Sequence, residues 1–325
     1  MFWAGNSNFK STINKMKIIL DWWKSNRGSS ILKGIEWGIL IVALFLVFGL
    51  CYLYLFDYPS PNINQAFVKL LEEMDANLFW YFLIGFSAQM IDGALGMAYG
   101  VSVTTFLLGL GIPGITPAIA SASMHASEIF TTGSSSLVYL KYRNVNKKLF
   151  RVLVWPGLIG TVLGVITVTS ISKQYFSIVK PVVAIYTLML GVLIIKKAIK
   201  RHKRRSKIKR IYPVAFCGGF LDSVGGGGWG PIVTSSLIAG GRHLRYTIGS
   251  AHAAKFFVAI VSTISFSLII GVSHWKIIIG LIIGGTIAAP ISIYLANKIN
   301  IKKGLLFVGI LIILISLKTL ITSLI

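Results

Sequence analysis

Three carboxylates lie inside apolar stretches of this chain, where a charged side chain needs a partner or a function. The 325 residues include only nine acidic ones, and three of these, Asp92, Glu128 and Asp222, fall within long apolar segments. A charge near the middle of a bilayer costs ~2.5–3.5 kcal/mol even on insertion scales, and such residues usually pair or line a pathway. They are the first candidates for a binding site.

The two aspartates belong to glycine-rich motifs that repeat 130 residues apart. The first motif contains Asp92, Gly93, Gly96, Tyr99 and Gly100, and the second contains Asp222, Gly225, Gly226, Gly227, Gly228, Trp229 and Gly230. Non-helical backbone at membrane depth is tolerated only where it is buried in protein or lines a cavity. The four consecutive glycines of the second motif, here called the glycine run, exceed what helix packing requires, and free amides starting a half-helix can hold an anion. The motifs predict a duplicated chain with a site at the two breaks.

A structural role is also open to both aspartates. Each could cap the second half-helix of its motif by accepting hydrogen bonds from amides that otherwise have no partner. Capping does not prevent the same carboxylate from lining a site. The sequence leaves both interpretations of Asp92 and Asp222 open.

The segment after each motif repeats as well. His125-Ala-Ser-Glu128 aligns with His252-Ala-Ala-Lys255, and Ser123 is among the small residues just before the first. Residues three apart share a helix face, and counting about 1.5 Å per residue places Glu128 and Lys255 near the midplane. We expect the carboxylate and the ammonium to face each other or a shared ligand. A purely structural ion pair and satisfied interior histidines are the alternatives.

Composition places the chain in a membrane. Hydrophobic residues make up 55% of it and charged residues 13%, and apolar runs of about 20 residues recur, the length that crosses a bilayer. The net charge of +23 comes largely from basic residues in short loops, as the positive-inside rule expects, so nucleic-acid binding is not predicted. Cys51 and Cys217 show no metal-ligand spacing, and neither a metal nor a cofactor is predicted.

The apolar segments divide the chain into five predicted regions. Residues 1–33 form a basic cytoplasmic segment, either a helix on the membrane surface or a disordered tail, and 34–77 hold an extra transmembrane helix and an outside loop. Repeat 1 covers 78–198, a basic cytoplasmic loop covers 199–210, and repeat 2 covers 211–325. The predicted helices are 34–56, 78–91 with 94–110, 115–140, 148–171, 175–198, 211–223 with 229–241, 245–271, 275–298 and 303–323.

Loop charge indicates how the two interrupted segments sit. Residues 141–151 carry five Lys or Arg and 196–210 carry ten, with smaller clusters at 242–245 and 298–303. All of them fall on the inside only if both interrupted segments enter the membrane and turn back, and first halves of 13 to 14 residues are too short to cross. Each repeat is then a re-entrant helical hairpin plus three transmembrane helices, and three crossings invert the second repeat. The predicted fold is an all-α polytopic membrane protein with two inverted repeats and one extra N-terminal helix, the N-terminus inside and the C-terminus outside.

The motif pair resembles a known family. GFSAQMIDGALGMAYG and CGGFLDSVGGGGWGP, each followed by a helix rich in small residues and two further spans, are similar to the sulfite exporter family TauE/SafE over about residues 78–325. The resemblance implies an inner-membrane permease for small sulfur-containing anions, such as sulfite, sulfoacetate or related organosulfonates, coupled to an ion gradient. It also implies a site built from residues 92–100 and 222–230, with the helices that carry His125 and His252 beside them.

We expect a secondary transporter that works by alternating access, its repeats rocking around a midplane site. The expected partners are a small anion, the lipid bilayer and coupling protons, and the sequence does not indicate an oligomeric state. A proton or cation carrier, or a channel, that uses the membrane carboxylates is the alternative, which Lys255 disfavours. Catalysis is not expected, because the chain contains no HExxH pair, no GxSG motif and no GxGD context for its membrane acids.

Overall fold

Helices make up almost all of the chain that the structure describes. The computed structural model covers residues 76–95, 97–112, 114–141, 143–199, 210–271, 274–296 and 301–324, and no strand occurs in these ranges. The basic N-terminal segment, the extra helix at 34–56 and most of the acidic loop after it lie outside the described residues. Those regions, and the five-part division of the chain, stay predictions.

Each predicted segment from residue 78 onward coincides with a helix, with ends shifted by a few residues. In chain order the helices are α1 Ala76–Leu95, α2 Tyr99–Gly109, α3 Pro117–Lys141, α4 Lys147–Gln174, α5 Phe176–Ile199, α6 Ile211–Gly225, a π-helical turn Trp229–Thr234 that continues into α7 Ser235–Ala239, α8 Leu244–Ile270, α9 Trp275–Ala296 and α10 Ile301–Leu324. We call α1 and α2, with the break between them, the first hairpin. The second hairpin consists of α6, the π-helical turn and α7.

Four of the described helices are long and apolar enough to span a membrane. They are Lys147–Ser172, Ile178–Ile199, Arg245–Ile270 and Lys302–Ser323. Their outer faces are apolar too: α5 exposes large hydrophobic side chains at helical spacing, namely Ile178, Val182, Ile185, Met189 and Leu193. Apolar surface of this extent is typical of contact with lipid rather than water. The protein is therefore a helical, polytopic membrane protein.

The first hairpin differs from the prediction in the length of its first helix. The helix α1 has 20 residues rather than the 14 of segment 78–91, because it continues through Asp92 to Leu95. Twenty residues at about 1.5 Å each are long enough to cross the hydrocarbon layer, so the predicted shortness was wrong for this hairpin. The helix α6, with 15 residues, agrees with the prediction.

The second hairpin folds back on itself. Val233, in the π-helical turn, fills the space beside Gly218 of α6. In a continuous helix these two residues would be about 22 Å apart, since each residue advances the helix by about 1.5 Å. The reversal begins at Gly226, whose φ of +68° lies in the left-handed region that favours glycine.

Glycines allow the first helix of each hairpin to approach a long helix closely. Gly160 of α4 lies against the backbone of Phe216 in α6, and one turn further Gly164 lies against Phe220. The contacts advance in the same direction on both helices, so α4 and α6 run parallel. The pair α1 and α9 is in close contact through glycines in the same parallel sense. Such small-residue contacts are the usual form of helix packing in lipid.

Two further helix pairs run antiparallel. Gly191 of α5 touches Gly309 of α10, and nearer the start of α5 the Thr187 hydroxyl bonds to that of Ser316 at 2.8 Å. Residue numbers therefore rise along α5 as they fall along α10, so the two helices run antiparallel. The helices α3 and α8 form the second antiparallel pair, and they carry the repeated His-x-x-Glu and His-x-x-Lys segments.

Two of the basic loops meet at one end of the bundle. The Asn146 amide donates a hydrogen bond to the Ser250 hydroxyl at 2.8 Å, and Gly249 lies against the carbonyl of Asn144. The end of α3 and the start of α8 are thus adjacent. This places the basic residues of 141–151 beside those of 242–245.

Candidate functional site

The breaks of the two hairpins lie against each other. The carbonyl of Gly226 occupies the space into which a side chain at Gly100 would extend, with Gly227 just beside it. The backbone of Met97 occupies the corresponding space at Gly230. The sequence equivalence of Gly100 and Gly230 therefore has a structural counterpart, because each lets its own hairpin touch the break of the other.

The glycine run is packed on every side. The ring of Tyr186 fills the side-chain space of Gly225, and Thr104 fills that of Gly226. Val101 of α2 fills that of Gly227, and the backbone of α6 itself fills that of Gly228. Close packing thus accounts for all four glycines. The expectation that the run exceeds packing needs was wrong, because the sequence does not reveal how closely α2, α5 and α6 surround it.

Both aspartates cap the second half of their hairpins. The Asp92 Oδ1 accepts hydrogen bonds from the amides of Ala98 and Tyr99, at 2.8 and 3.1 Å. The Asp222 Oδ1 accepts one from the amide of Trp229 at 3.0 Å. The capping hypothesis is confirmed at equivalent positions of the two motifs. These carboxylates already occupy amides that the sequence argument had offered to an anion.

The aromatic residues of the motifs connect each hairpin to the helix that follows it. Tyr99 is buried, and its hydroxyl bonds to that of Ser127 in α3 at 2.8 Å. Trp229 is also buried, and its Nε1 donates to the carbonyl of Ala251 in α8 at 3.0 Å. Each aromatic ring therefore sets the position of the histidine-bearing helix relative to its hairpin.

The helices α3 and α8 bring the predicted ion pair together. The Lys255 ammonium contacts the Oε1 of Glu128, and the residues are only 8% and 1% exposed. The expectation that these two groups face each other is confirmed. The Nδ1 of His125 lies 3.7 Å from the other Glu128 oxygen, and the imidazole has no hydrogen bond to any part of the chain that the structure describes.

Asp222 completes a buried cluster with His125 and Glu128. One ligand atom from each of the three lies within 4.8 Å of the others, and all three side chains are buried. Donors of this type could hold a cation. The Lys255 ammonium already supplies a positive charge at Glu128, so the chemistry of the cluster is mixed rather than purely cation-binding.

A small cavity adjoins the ion pair. Its wall is formed by Asp92, Met97, Glu128, Thr132, Trp229, Gly230, Thr234, Ala251, His252 and Lys255. Both hairpins and both histidine-bearing helices contribute. The space between these walls has room for about one water molecule. A larger solute would need the walls to move apart.

Six predicted site residues line this cavity, namely Asp92, Glu128, Trp229, Gly230, His252 and Lys255. Ser123 and His125 are buried in α3, the glycine run holds the break of the second hairpin, and His252 stacks its ring on Tyr139 at 5.6 Å. Gly93 lies in α1, and Gly96 falls outside the described residues. None of these placements tests substrate contact, so the binding roles stay a proposal.

Four wall residues were not predicted, namely Met97, Thr132, Thr234 and Ala251. Thr132 follows Glu128 by one helical turn, and its hydroxyl donates to the Glu128 carbonyl at 2.6 Å, so helical spacing could have identified it. Met97 lies within the first motif. Thr234 carries no comparable signal, because its place at the wall depends on the π-helical turn.

Comparisons with known proteins agree with the motifs. The sequence model of the family described as Sulfite exporter TauE/SafE matches residues 81–319. The chain is 36% identical over 256 residues to the Probable membrane transporter protein YtnM of Bacillus subtilis (strain 168), across 76% of this chain and 83% of that protein. No solved structure gives a significant match. The chain belongs to the sulfite exporter TauE/SafE family of membrane transporters.

Proposed function

We propose that this protein is a secondary transporter that moves a small sulfur-containing anion, such as sulfite or an organosulfonate, across the cytoplasmic membrane. The observation that carries the proposal is the buried Lys255 ammonium at a cavity between both hairpins. A buried cation attracts an anion far more strongly than one in water does, because the local dielectric is low. The family description supports sulfur oxyanions as the class of substrate.

Competition for Lys255 would couple the anion to protons. In the resting arrangement the ammonium is paired with Glu128. Protonation of Glu128 would cancel its negative charge and leave the ammonium free to pair with an oxyanion. Proton and anion would then bind together and leave together, so a proton gradient could drive the anion.

Two inverted repeats are the architecture that we propose for residues 78–325. A twofold axis between the repeats would exchange α1 with α6 and α9 with α4. The parallel pair α1 and α9 then maps onto the parallel pair α6 and α4. The same exchange maps the antiparallel pairs α3 with α8 and α5 with α10 onto themselves. The equivalent aspartate caps support this symmetry as well.

Alternating access follows from that architecture and from the size of the cavity. The space beside Lys255 has room for about one water molecule, too little for a sulfur oxyanion. We propose that the repeats rock about the touching hairpins and open the cavity to one side at a time. The adjacent basic loops support an orientation with residues 141–151 and 242–245 inside and the C-terminus outside.

A cation carrier is the second candidate function. The cluster of His125, Glu128 and Asp222 favours it, because these donors could hold a metal ion or a proton in a buried position. Lys255 beside Glu128 favours the anion.

Protection against heat discriminates between the two candidates. A ligand that binds only the folded protein raises its apparent melting temperature as the ligand concentration rises. We expect sulfite to raise the melting temperature of the purified wild-type protein, while sodium chloride at equal ionic strength does not. Protection by divalent metal ions without protection by sulfite or sulfonates would contradict the anion site and support the cation carrier.

A further inference from the structure

Lys197, near the C-terminal end of α5, extends its ammonium to both hairpins. The Nζ donates a hydrogen bond to the Ser235 hydroxyl at 2.9 Å and lies against the sulfur of Met97. The same Ser235 hydroxyl donates to the carbonyl of Gly230 at 3.2 Å. Met97 and Gly230 both line the cavity beside Lys255. The Lys197 ammonium therefore lies directly behind the cavity wall.

This ammonium has no carboxylate partner within the described ranges. The acidic residues after residue 75 are Asp92, Glu128 and Asp222, and the aspartates cap the hairpins while Glu128 contacts Lys255. The Lys197 ammonium is partly buried, and it contacts the Ser235 hydroxyl and the Met97 thioether. A cation withdrawn from water gains little from such neutral groups compared with an anion.

We propose that Lys197 is a second binding position for the transported oxyanion, in series with Lys255 and on the side of the cavity that faces the basic loops. The oxyanion would accept hydrogen bonds from the Lys197 ammonium and from the Ser235 hydroxyl, which would turn from the Gly230 carbonyl to the anion. It would replace Met97 as the neighbour of the ammonium. This inference rests on the proposed function and adds a residue that the sequence motifs do not mark.

The position of Lys197 along the chain favours a role in anion entry and exit. The helix α5 ends at Ile199, within the stretch 196–210 that carries ten Lys or Arg. A cluster of like charge raises the local concentration of oppositely charged solutes. Among the residues of this stretch that the structure describes, Lys197 is the one whose side chain contacts both hairpins. It would pass the anion between this basic stretch of the chain and Lys255.

The neighbouring residue provides a matched control. Lys196 is exposed, whereas Lys197 reaches the hairpins, so Lys196→Gln and Lys197→Gln remove the same charge from adjacent positions. Sulfite flux into proteoliposomes is measured over a range of sulfite concentrations. We expect Lys197→Gln to raise the half-saturating concentration about tenfold or more, the effect of losing one charge-assisted hydrogen bond, and Lys196→Gln to match the wild type.

A second measurement separates binding from a purely structural role. If Lys197 only held the hairpins together, Lys197→Gln would lower the melting temperature without changing the increase that sulfite produces. The proposal instead predicts a smaller sulfite-induced increase in Lys197→Gln than in Lys196→Gln. Should Lys197→Gln fail to fold, Lys197→Met keeps the apolar stem and is measured in the same way.

The outcomes of the two proposals are distinguishable. Sulfite flux in the wild type tests the proposed function, and its absence would overturn that function together with the role of Lys197. Where the wild type moves sulfite, the ratio of half-saturating concentrations tests Lys197 alone. Equal values for Lys197→Gln and the wild type would overturn this inference and leave the site at Lys255 intact.

Discussion

Lys255 and Glu128 form a buried ion pair at the wall of the cavity. Burying two charges removes their hydration, and apolar residues of similar size often stabilise a fold as well or better. The pair is therefore poorly explained by stability alone. Because the two groups come from α3 and α8, which occupy equivalent places in the proposed repeats, the pair is well placed to respond to movement of one repeat against the other.

The substitution Glu128→Gln tests the competition for Lys255. It leaves the ammonium buried without its partner, which we expect to lower the stability of the ligand-free protein by about 3–5 kcal/mol. Anion binding should persist but lose its pH dependence, because the carboxylate that is paired with Lys255 is gone. In the wild type, lower pH should strengthen binding, since protonated Glu128 releases Lys255. Thermal shifts with methanesulfonate, an anion that stays ionised, measure this at several pH values.

Asp92→Asn is the matched control for that experiment. Asp92 lines the same cavity but serves as a cap rather than as the partner of Lys255, and asparagine can also cap. Binding in this variant should keep the pH dependence of the wild type. If Glu128→Gln retained that dependence and Asp92→Asn lost it, the competing carboxylate would be Asp92.

The two hairpins owe their geometry to a cap and to close contact between their breaks. Each aspartate accepts amide hydrogen bonds at the start of the returning half, and each returning half carries a glycine that admits the other hairpin. The breaks are therefore packed and hydrogen-bonded rather than open. In the proposed mechanism the touching hairpins would be the pivot, and Lys255 and Lys197 would bind the anion.

Gly226→Ala tests the packing of the second break. Gly226 has φ +68°, and a Cβ there would collide with Thr104, which also donates a hydrogen bond to its carbonyl. The left-handed conformation alone costs an alanine about 1–2 kcal/mol. Displacing Thr104 should add about 1–3 kcal/mol, the usual cost of overpacking. The melting temperature of the purified variant measures the sum.

Gly111→Ala separates the two contributions. Gly111 has φ +65° with nothing near its side-chain space, so this variant should show the conformational cost alone. Equal melting temperatures for Gly111→Ala and Gly226→Ala would contradict the tight packing of the break.

Much of this organisation could be predicted from local pattern. Aspartate, glycine and aromatic residues at matching spacing indicated both hairpins, and the pair Glu128 and Lys255 followed from the repeat of the next segment. What the sequence could not show depends on contacts between distant segments. The glycine run is fitted against Tyr186 and Thr104, and Lys197 lies in a region of many lysines where nothing local distinguishes it. The length of α1 was missed because a helix can continue through a polar residue that caps the next element.

At the scale of the whole molecule, topology can be read from labelling. In a variant with Cys51 and Cys217 replaced by serine, a single cysteine at Lys148 or Arg245 should react with a membrane-impermeant maleimide only from the inside. A cysteine at Tyr175, between α4 and α5, should react only from the outside. The expected sides follow from the positive-inside rule and from the contact between Asn146 and Ser250.

Labelling from opposite sides at Lys148 and Arg245 would contradict the fold itself, because the structure holds those two loops together. Labelling of both from the outside would instead reverse the orientation and leave the fold unchanged. Inside labelling of all three positions would contradict the proposed crossing of α4.

Sulfite flux into proteoliposomes, with and without a pH gradient and in wild type against Lys255→Gln, tests the central claim most directly. The proposal predicts flux that the gradient drives in the wild type and that Lys255→Gln abolishes, because the variant keeps the size of the side chain but loses the charge that binds the anion. Wild-type sulfite flux that persists unchanged in folded Lys255→Gln would contradict the assigned site. Flux of cations alone would contradict the proposed anion transport as a whole.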